Sequence, residues 1–208
     1  MSPLSVTDLS RRAWMQRSLW AGAGLASAAL AGEAARAQPV PGGPVRAAAP
    51  AWLAQRWPQA ALQGQGRMRF WGLQIYDALL WVQPGFDPAR FDAYPFALEL
   101  VYLRALDGGQ IAERSLTEMR PLPGFDASRA DPWLARMKQL FPDVKAQDRL
   151  AGLHLPGQGA QFVLNGQLRG EVADPLFARL FFGIWLAPQT SEPRLRQSLV
   201  GGGVEGEA

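Results

Sequence analysis

Residues Gln161–Leu186, QFVLNGQLRGEVADPLFARLFFGIWL, read as strand, tight turn, strand and helix. Phe162, Val163 and Leu164 run into Asn165-Gly166, and Gln167–Val172 leaves it. Asn-Gly between two strand-like runs is a strong hairpin signal, because both central residues of a type I′ turn need positive φ. Asp174-Pro175 then opens a helix. An aspartate accepts hydrogen bonds from the free N–H groups of the first turn, and proline fits there because its missing N–H would have had no partner. Leu176, Phe177, Leu180, Phe181 and Ile184 fall on one helical face. An apolar helix directly after a hairpin packs across the same sheet, so this unit forms the core. It carries few groups able to do chemistry.

Outward from this unit, the chain continues the pattern. Upstream lie a strand at Arg149–Leu155, a helix with Trp133, Leu134, Met137, Leu140 and Phe141 at helical spacing, and a helix at Gln110–Met119 with an inner stripe of Ile111, Ala112, Ser115, Leu116 and Met119. Asp131-Pro132 is read as the start of the first of these helices, and Phe141-Pro142 as its end. Phe96–Leu103 is a strand with Phe96, Leu98, Leu100 and Tyr102 on one face. Phe70–Val82 is extended, and GQGRMRF before it alternates, placing Arg67, Arg69 and Trp71 on one side and Met68, Phe70 and Gly72 on the other. Trp52–Leu62 holds a short leading helix, and Ser191–Leu199 a last amphipathic one. Strands, two helices, three strands and two helices make an α+β fold, a large antiparallel sheet covered on one face by a layer of helices.

The N-terminal residues read as an export signal. Arg11-Arg12 precedes an apolar pair in twin-arginine style, Leu19–Leu30 has the length of a signal core, and Ala35-Arg36-Ala37 offers a cleavage site after Ala37. This gives a signal over 1–37, a Pro/Gly/Ala linker with the leading helix over 38–61, the folded domain over 62–201 and a disordered tail over 202–208. The expected location is periplasmic, with no transmembrane span in the mature chain.

Composition excludes several functions. No cysteine is present, so disulfides and thiolate metal sites are ruled out. His154 is the single histidine, which rules out a multi-histidine metal site. Its place between Leu153 and Leu155 in a strand directs it to the opposite face, toward solvent. The formal charge is +3. Arg11, Arg12, Arg17 and Arg36 against Asp8 and Glu33 put most of that excess in the signal, so the mature chain is nearly neutral and nucleic acid is not an expected partner. Neither a cofactor nor a metal is expected.

Arg67 and Arg69 can grip a carboxylate or phenolate through the planar guanidinium fork, and Tyr76 can donate to the same anion. The competing reading is an edge strand whose charges discourage aggregation. Tyr102 is expected to pack, and Trp71, Trp81 and Trp185 are core aromatics that could line an apolar pocket. Asp174 is a cap, and Asn165 serves its turn through φ rather than through its amide.

Gly64-x-Gly66 with Met68-Arg69, Ile75–Trp81, Leu100–Arg104 (LVYLR), Leu140–Val144, Gly157-Gln158-Gly159, Leu164-Asn165-Gly166, Phe177-Ala178, Gly183–Leu186 and Leu199-Val200-Gly201, in this order, resemble the bacterial chalcone isomerase-like proteins over roughly 62–201. The resemblance implies a large antiparallel sheet, a helical layer and a ligand cleft between them. Plant members close a chalcone to a flavanone, and related members bind fatty acids through an arginine and a tyrosine. It places the arginine at Arg67 or Arg69 and the hydroxyl at Tyr76. The catalytic members carry a tyrosine and an asparagine on the helix after the LVYLR strand. Here Ile111–Glu118 has neither, which argues against cyclisation. Three functions compete: binding of a small apolar carboxylate or phenolic ligand, an isomerase of the intramolecular lyase type, and a structural or partner-binding envelope protein.

Overall fold

The Asn-Gly turn and the Asp-Pro helix start are both formed in the computed structural model, which describes residues 48–201. Asn165 and Gly166 take φ of 50° and 84°. Asp174 accepts from the N–H groups of Leu176 and Phe177 at 2.9 and 3.2 Å. Its second oxygen accepts from Trp133 Nε1 at 3.0 Å and pairs with Arg129, so the cap also ties two helices together. The export signal, the start of the linker and the tail beyond Gly201 lie outside the described residues.

The elements are α1 (Ala51–Arg56), β1 (Ala61–Phe70), β2 (Leu73–Val82), β3 (Phe96–Tyr102), α2 (Gly108–Met119), α3 (Ala130–Leu140), β4 (Arg149–Leu155), β5 (Gly159–Leu164), β6 (Gln167–Val172), α4 (Pro175–Leu186) and α5 (Pro193–Val200), with 3-10 turns at Pro88–Ala93 and Ala127–Arg129. The six strands form one sheet in chain order, every pair antiparallel. The fold is α+β, an open antiparallel sheet with the main helical layer on one face and the short α1 on the other. None of the helices among the described residues is long and apolar enough to cross a membrane.

Leu98, Leu100, Tyr102, Phe162 and Val172 belong to the core on the helical side of the sheet, where Phe162 meets Phe177 and Phe181 of α4. That helix is buried nearly all round, including Phe182, Gly183 and Trp185, so the single apolar stripe read from the sequence was too narrow. Gly152 lies under Phe182, whose ring atoms would sit 2.9 Å from any added Cβ. The other side of the sheet is covered too. Leu53 of α1 is fully buried there with Trp81, Ala97, Ala151, Leu153 and Val163.

This second cover corrects the reading of His154. It points to the helix face, as alternation from Leu153 requires, but that face is core, and His154 is only 3 % exposed. Its ring stacks on Phe96 at 4.9 Å, and Nδ1 donates to the Tyr94 carbonyl at 2.8 Å. Burial pushes its pKa below the ordinary value of 6.5. The folded chain therefore resists the proton that the unfolded chain accepts, so this contribution to stability is present above about pH 6.5 and is lost as pH falls below it. Urea melts between pH 7.5 and 5.5 should show this decline, and His154→Gln, which cannot ionise, should flatten it. A decline of equal slope in the variant would assign it to other groups.

Three local expectations also change. The span Gly64–Val82 is a hairpin rather than one extended run, because Trp71 and Gly72 turn with φ of 52° and 78°. Asp131 sits in the first turn of α3 but does not cap it; Asp126 caps the preceding 3-10 turn. Asn165 uses its amide as well as its φ, since Oδ1 accepts from Arg149 N at 2.8 Å and Nδ2 donates to Asp148 at 3.1 Å.

Candidate functional site

The two glycines of the Gly64-x-Gly66 pair have a mechanical use. Both face the helical layer from β1, and a Cβ at Gly64 would lie 2.3 Å from the Ser198 carbonyl oxygen, while one at Gly66 would lie 2.7 Å from Leu195. They let α5 lie directly on the strand, which a side chain would prevent.

Register then separates the expected site residues. Met68 is paired with Tyr76, and both face the helices. Arg67 is paired with Asp77 on the opposite, open face. Its Nε and Nη2 bond the Asp77 carboxylate at 2.6 and 2.9 Å, and Nη1 donates to Gln74 at 3.1 Å. A bulge at Ile75 brings Gln74 to that same face, opposite Arg69. Arg69 is exposed and has no ion pair among the described residues. The structure thus brings Arg67 and Arg69 to one face and Tyr76 to the other. The three tryptophans are separated as well: Trp71 is in the turn and 68 % exposed, Trp81 is buried under α1, and Trp185 is in the helical layer.

Around Tyr76 a different cluster forms. Trp185 Nε1 donates to the Tyr76 hydroxyl oxygen at 3.0 Å, and the Tyr102 ring stands edge-on to the Tyr76 ring at 6.0 Å. Burial raises the pKa of both phenols far above the ordinary value. Tyr76 therefore stays protonated, and because its oxygen already accepts from Trp185, its O–H remains available to donate. Arg114 and Glu118 of α2 and Glu192, the residue before α5, lie close enough to act on that hydroxyl electrostatically. Arg114 pairs with Glu118, one turn along the helix, and its guanidinium lies 6.0 Å from the Phe70 ring. Ser191 donates to Glu118 at 2.7 Å. Glu192 is held above the ordinary carboxyl pKa, by burial first and by the Glu118 charge second.

The cluster offers one cation ion-paired with Glu118, one neutral phenol donor and one carboxyl with a raised pKa, beside apolar core. Such a set can orient an acid group or move a proton. Sequence reading found Tyr76 but missed Arg114, Glu118 and Glu192. The i, i+4 spacing of Arg114 and Glu118 is visible in the sequence, but it signals only an exposed helix pair. A separate cavity of about 170 Å³ lies on the far side of α4, among Phe91, Asp92, Leu122, Arg179, Leu180 and Gly183. It is smaller than the pockets that usually hold drug-sized ligands.

Comparison with known proteins agrees with this architecture. A family model described as chalcone isomerase-like matches residues 53–201, which takes in most of α1. An uncharacterized protein of Haemophilus influenzae is 33 % identical over 107 residues, 51 % of this chain and 52 % of that protein, so the chain spans about half the length of the curated relative it matches. The crystal structure of a fatty-acid binding protein of Arabidopsis thaliana superposes with a TM-score of 0.55 over 68 % of this chain and 87 % of that one, at 14 % identity, a likeness of fold. With a match over this much of its length, the chain belongs to the chalcone isomerase-like family.

Proposed function

We propose that this domain binds a small apolar acid, a long-chain fatty acid or a phenolic acid, without cyclising a chalcone. The observation that carries the reading is the helix-face cluster, where Arg114 and the neutral Tyr76 hydroxyl sit together at the margin of an apolar core. An acid whose tail enters apolar surroundings loses hydration, and its carboxylate then needs a charge-assisted partner where the tail goes in. The shared fold with a fatty-acid binding protein supports the choice of ligand class. In this reading Arg114 takes the part that the resemblance gave to Arg67 or Arg69, since both of those lie on the face of the sheet away from Tyr76.

Calorimetry on the purified full chain, with fatty and phenolic acids and their methyl esters, tests it. Acids should bind more tightly than esters, and Arg114→Gln should cost about 1.5–3 kcal/mol of affinity, as expected for a lost hydrogen-bonded charge. Tyr76→Phe should cost less. Arg67→Ala and Arg69→Ala should leave affinity in place; loss in either instead would return the acid site to the open face. Equal binding of acid and ester would remove the anion site altogether.

One observation favours the isomerase as a second reading. Glu192 lies beside Tyr76, and burial and the Glu118 charge raise its pKa above the ordinary carboxyl value, which is the direction a proton-transferring carboxyl needs. Chalcone turnover above the spontaneous rate that is abolished by Glu192→Gln would establish it, and an unchanged rate in that variant would remove it.

Export of the chain to the periplasm, with cleavage after Ala37, belongs to the same proposal. It rests on the Arg11-Arg12 pair, the Leu19–Leu30 run and Ala35-Arg36-Ala37. N-terminal sequencing of periplasmic protein from the native host should begin at Gln38; a full-length cytoplasmic product would exclude it.

A further inference from the structure

Two tight hairpin turns among the described residues are of the same kind. At Asn165-Gly166 and at Trp71-Gly72 both central residues have positive φ, 50° and 84° in the first, 52° and 78° in the second. Asparagine tolerates that backbone through its short polar side chain. A bulky tryptophan does not, and it is an outlier there. The turn geometry itself therefore gives no reason for Trp71, and the core gives none either. Trp71 is 68 % exposed and Leu73 is 50 % exposed, two of the largest apolar side chains left on the surface. Trp71 and Leu73 form an exposed apolar tip at the end of the sheet, with the half-buried Phe70 ring 6.3 Å from that of Trp71.

The unbalanced charge at the tip is that of Arg69. From Arg67 to Tyr76 the sequence is RMRFWGLQIY, with two arginines and no acid. Arg67 is neutralised by Asp77, further down the hairpin. Arg114, whose guanidinium lies 6.0 Å from the Phe70 ring, is paired with Glu118, and Arg69 is exposed and has no ion pair among the described residues. A projecting tryptophan and leucine with a cation at their base fit the boundary between headgroups and acyl chains. There the indole ring places its apolar body in the lipid and its N–H toward the headgroups, and arginine meets lipid phosphate.

We propose that the β1–β2 hairpin tip, Arg69–Leu73, docks on an anionic lipid surface, inserting Trp71 and Leu73 while Arg69 contacts the headgroups. The proposal does not depend on the ligand reading: docking is expected without any added acid, and loss of acid binding in Arg114→Gln leaves it standing.

The absence of cysteine permits a direct test on the full chain. A single Leu73→Cys carries a polarity-sensitive dye at the tip, and a single Leu168→Cys carries the same dye on β6, at the opposite edge of the sheet, where Leu168 is 64 % exposed. The comparison of the two labels separates tip docking from any attachment through the N-terminal apolar run. Vesicles of 30:70 phosphatidylglycerol and phosphatidylcholine should raise the fluorescence of the tip label several-fold and shift it to the blue, leaving the β6 label unchanged. Arg69→Gln in the labelled chain should weaken the response about fivefold, the usual worth of one arginine near an anionic surface. Trp71→Ala should weaken it by at least as much. An unresponsive tip label, an equal response at both positions, or an equal response to pure phosphatidylcholine vesicles would overturn the proposal. A response that grows with protein concentration in the absence of vesicles would also overturn it, in favour of self-association.

Discussion

Truncation of Phe181 to alanine is expected to lower the unfolding free energy by about 3–5 kcal/mol. Phe181 lies at the centre of the aromatic core. Its ring stacks on Phe177 at 5.5 Å and 15°, and meets Phe162 of β5 at 5.2 Å, Phe182 at 5.3 Å and Trp185 at 5.5 Å, all at steep angles. Phe141 closes the remaining side at 5.9 Å. Rigid rings on every side cannot collapse into the vacancy as flexible side chains do, so the cost should fall toward the upper part of that range. It would remove a large share of the ~5–15 kcal/mol that holds a domain folded. Urea melts should show a lower midpoint with an unchanged slope. A loss below about 1 kcal/mol would mean that Phe181 is not in the close-packed core. Phe181→Leu, which fills most of the volume, should cost much less.

Arg149→Ala should be the next largest loss. On the sheet face beneath α1, Glu99 is 1 % exposed. Its carboxylate receives Nε and Nη2 of Arg149 at 2.9 and 2.7 Å, and Trp81 Nε1 at 3.3 Å. The pairing in turn holds Arg149 protonated, above its ordinary range. Removing the guanidinium leaves a buried carboxylate with one neutral donor, and breaking a buried pair in this way usually costs 3–5 kcal/mol. The Arg149 side chain is itself 43 % exposed, so water can reach part of the vacated position. The expected loss is therefore about 2–3 kcal/mol. Glu99→Gln in the same background should recover much of it, because a neutral amide can accept from Trp81 without leaving a stranded charge. A double-mutant cycle by denaturant melts checks the pair. If Arg149→Ala costs less than about 0.5 kcal/mol, or Glu99→Gln recovers nothing, the ion pair is not what holds that face.

These two sites differ in how far they could be read in advance. The α4 core is local information: a hairpin turn, an Asp-Pro start and aromatic residues at helical spacing, all within Gln161–Leu186. The Glu99–Arg149 pair joins residues on β3 and β4, which the chain separates by two helices. Nothing in either strand alone names the other.

The candidate site shows the same division at finer grain. Tyr76 was legible because hydroxyl residues on an aromatic strand are few. Its separation from Arg67 was not, because it depends on where the hairpin turns. Trp71 gives no sign of positive φ, so the strand appeared to run on, and the bulge at Ile75 altered the alternation again. A shift of one residue moves a side chain to the other face of the sheet.

The sequence by itself determined the order of the elements from β3 onward, the α+β class, the Asp174 cap, the Asn165-Gly166 turn and the inward face of β3. Each depends on φ preferences, capping groups or a period that spans a few neighbouring residues. Only the tertiary structure decided that His154 is buried, because both faces of the sheet are covered and its ring lies against Phe96 and Phe182 under the helical layer. It also decided that Gly64 and Gly66 seat α5, and that Arg114, Glu118 and Glu192 gather around Tyr76. These relations join residues far apart in the chain, and the free energy that fixes them comes from packing whole elements together, which no local pattern encodes.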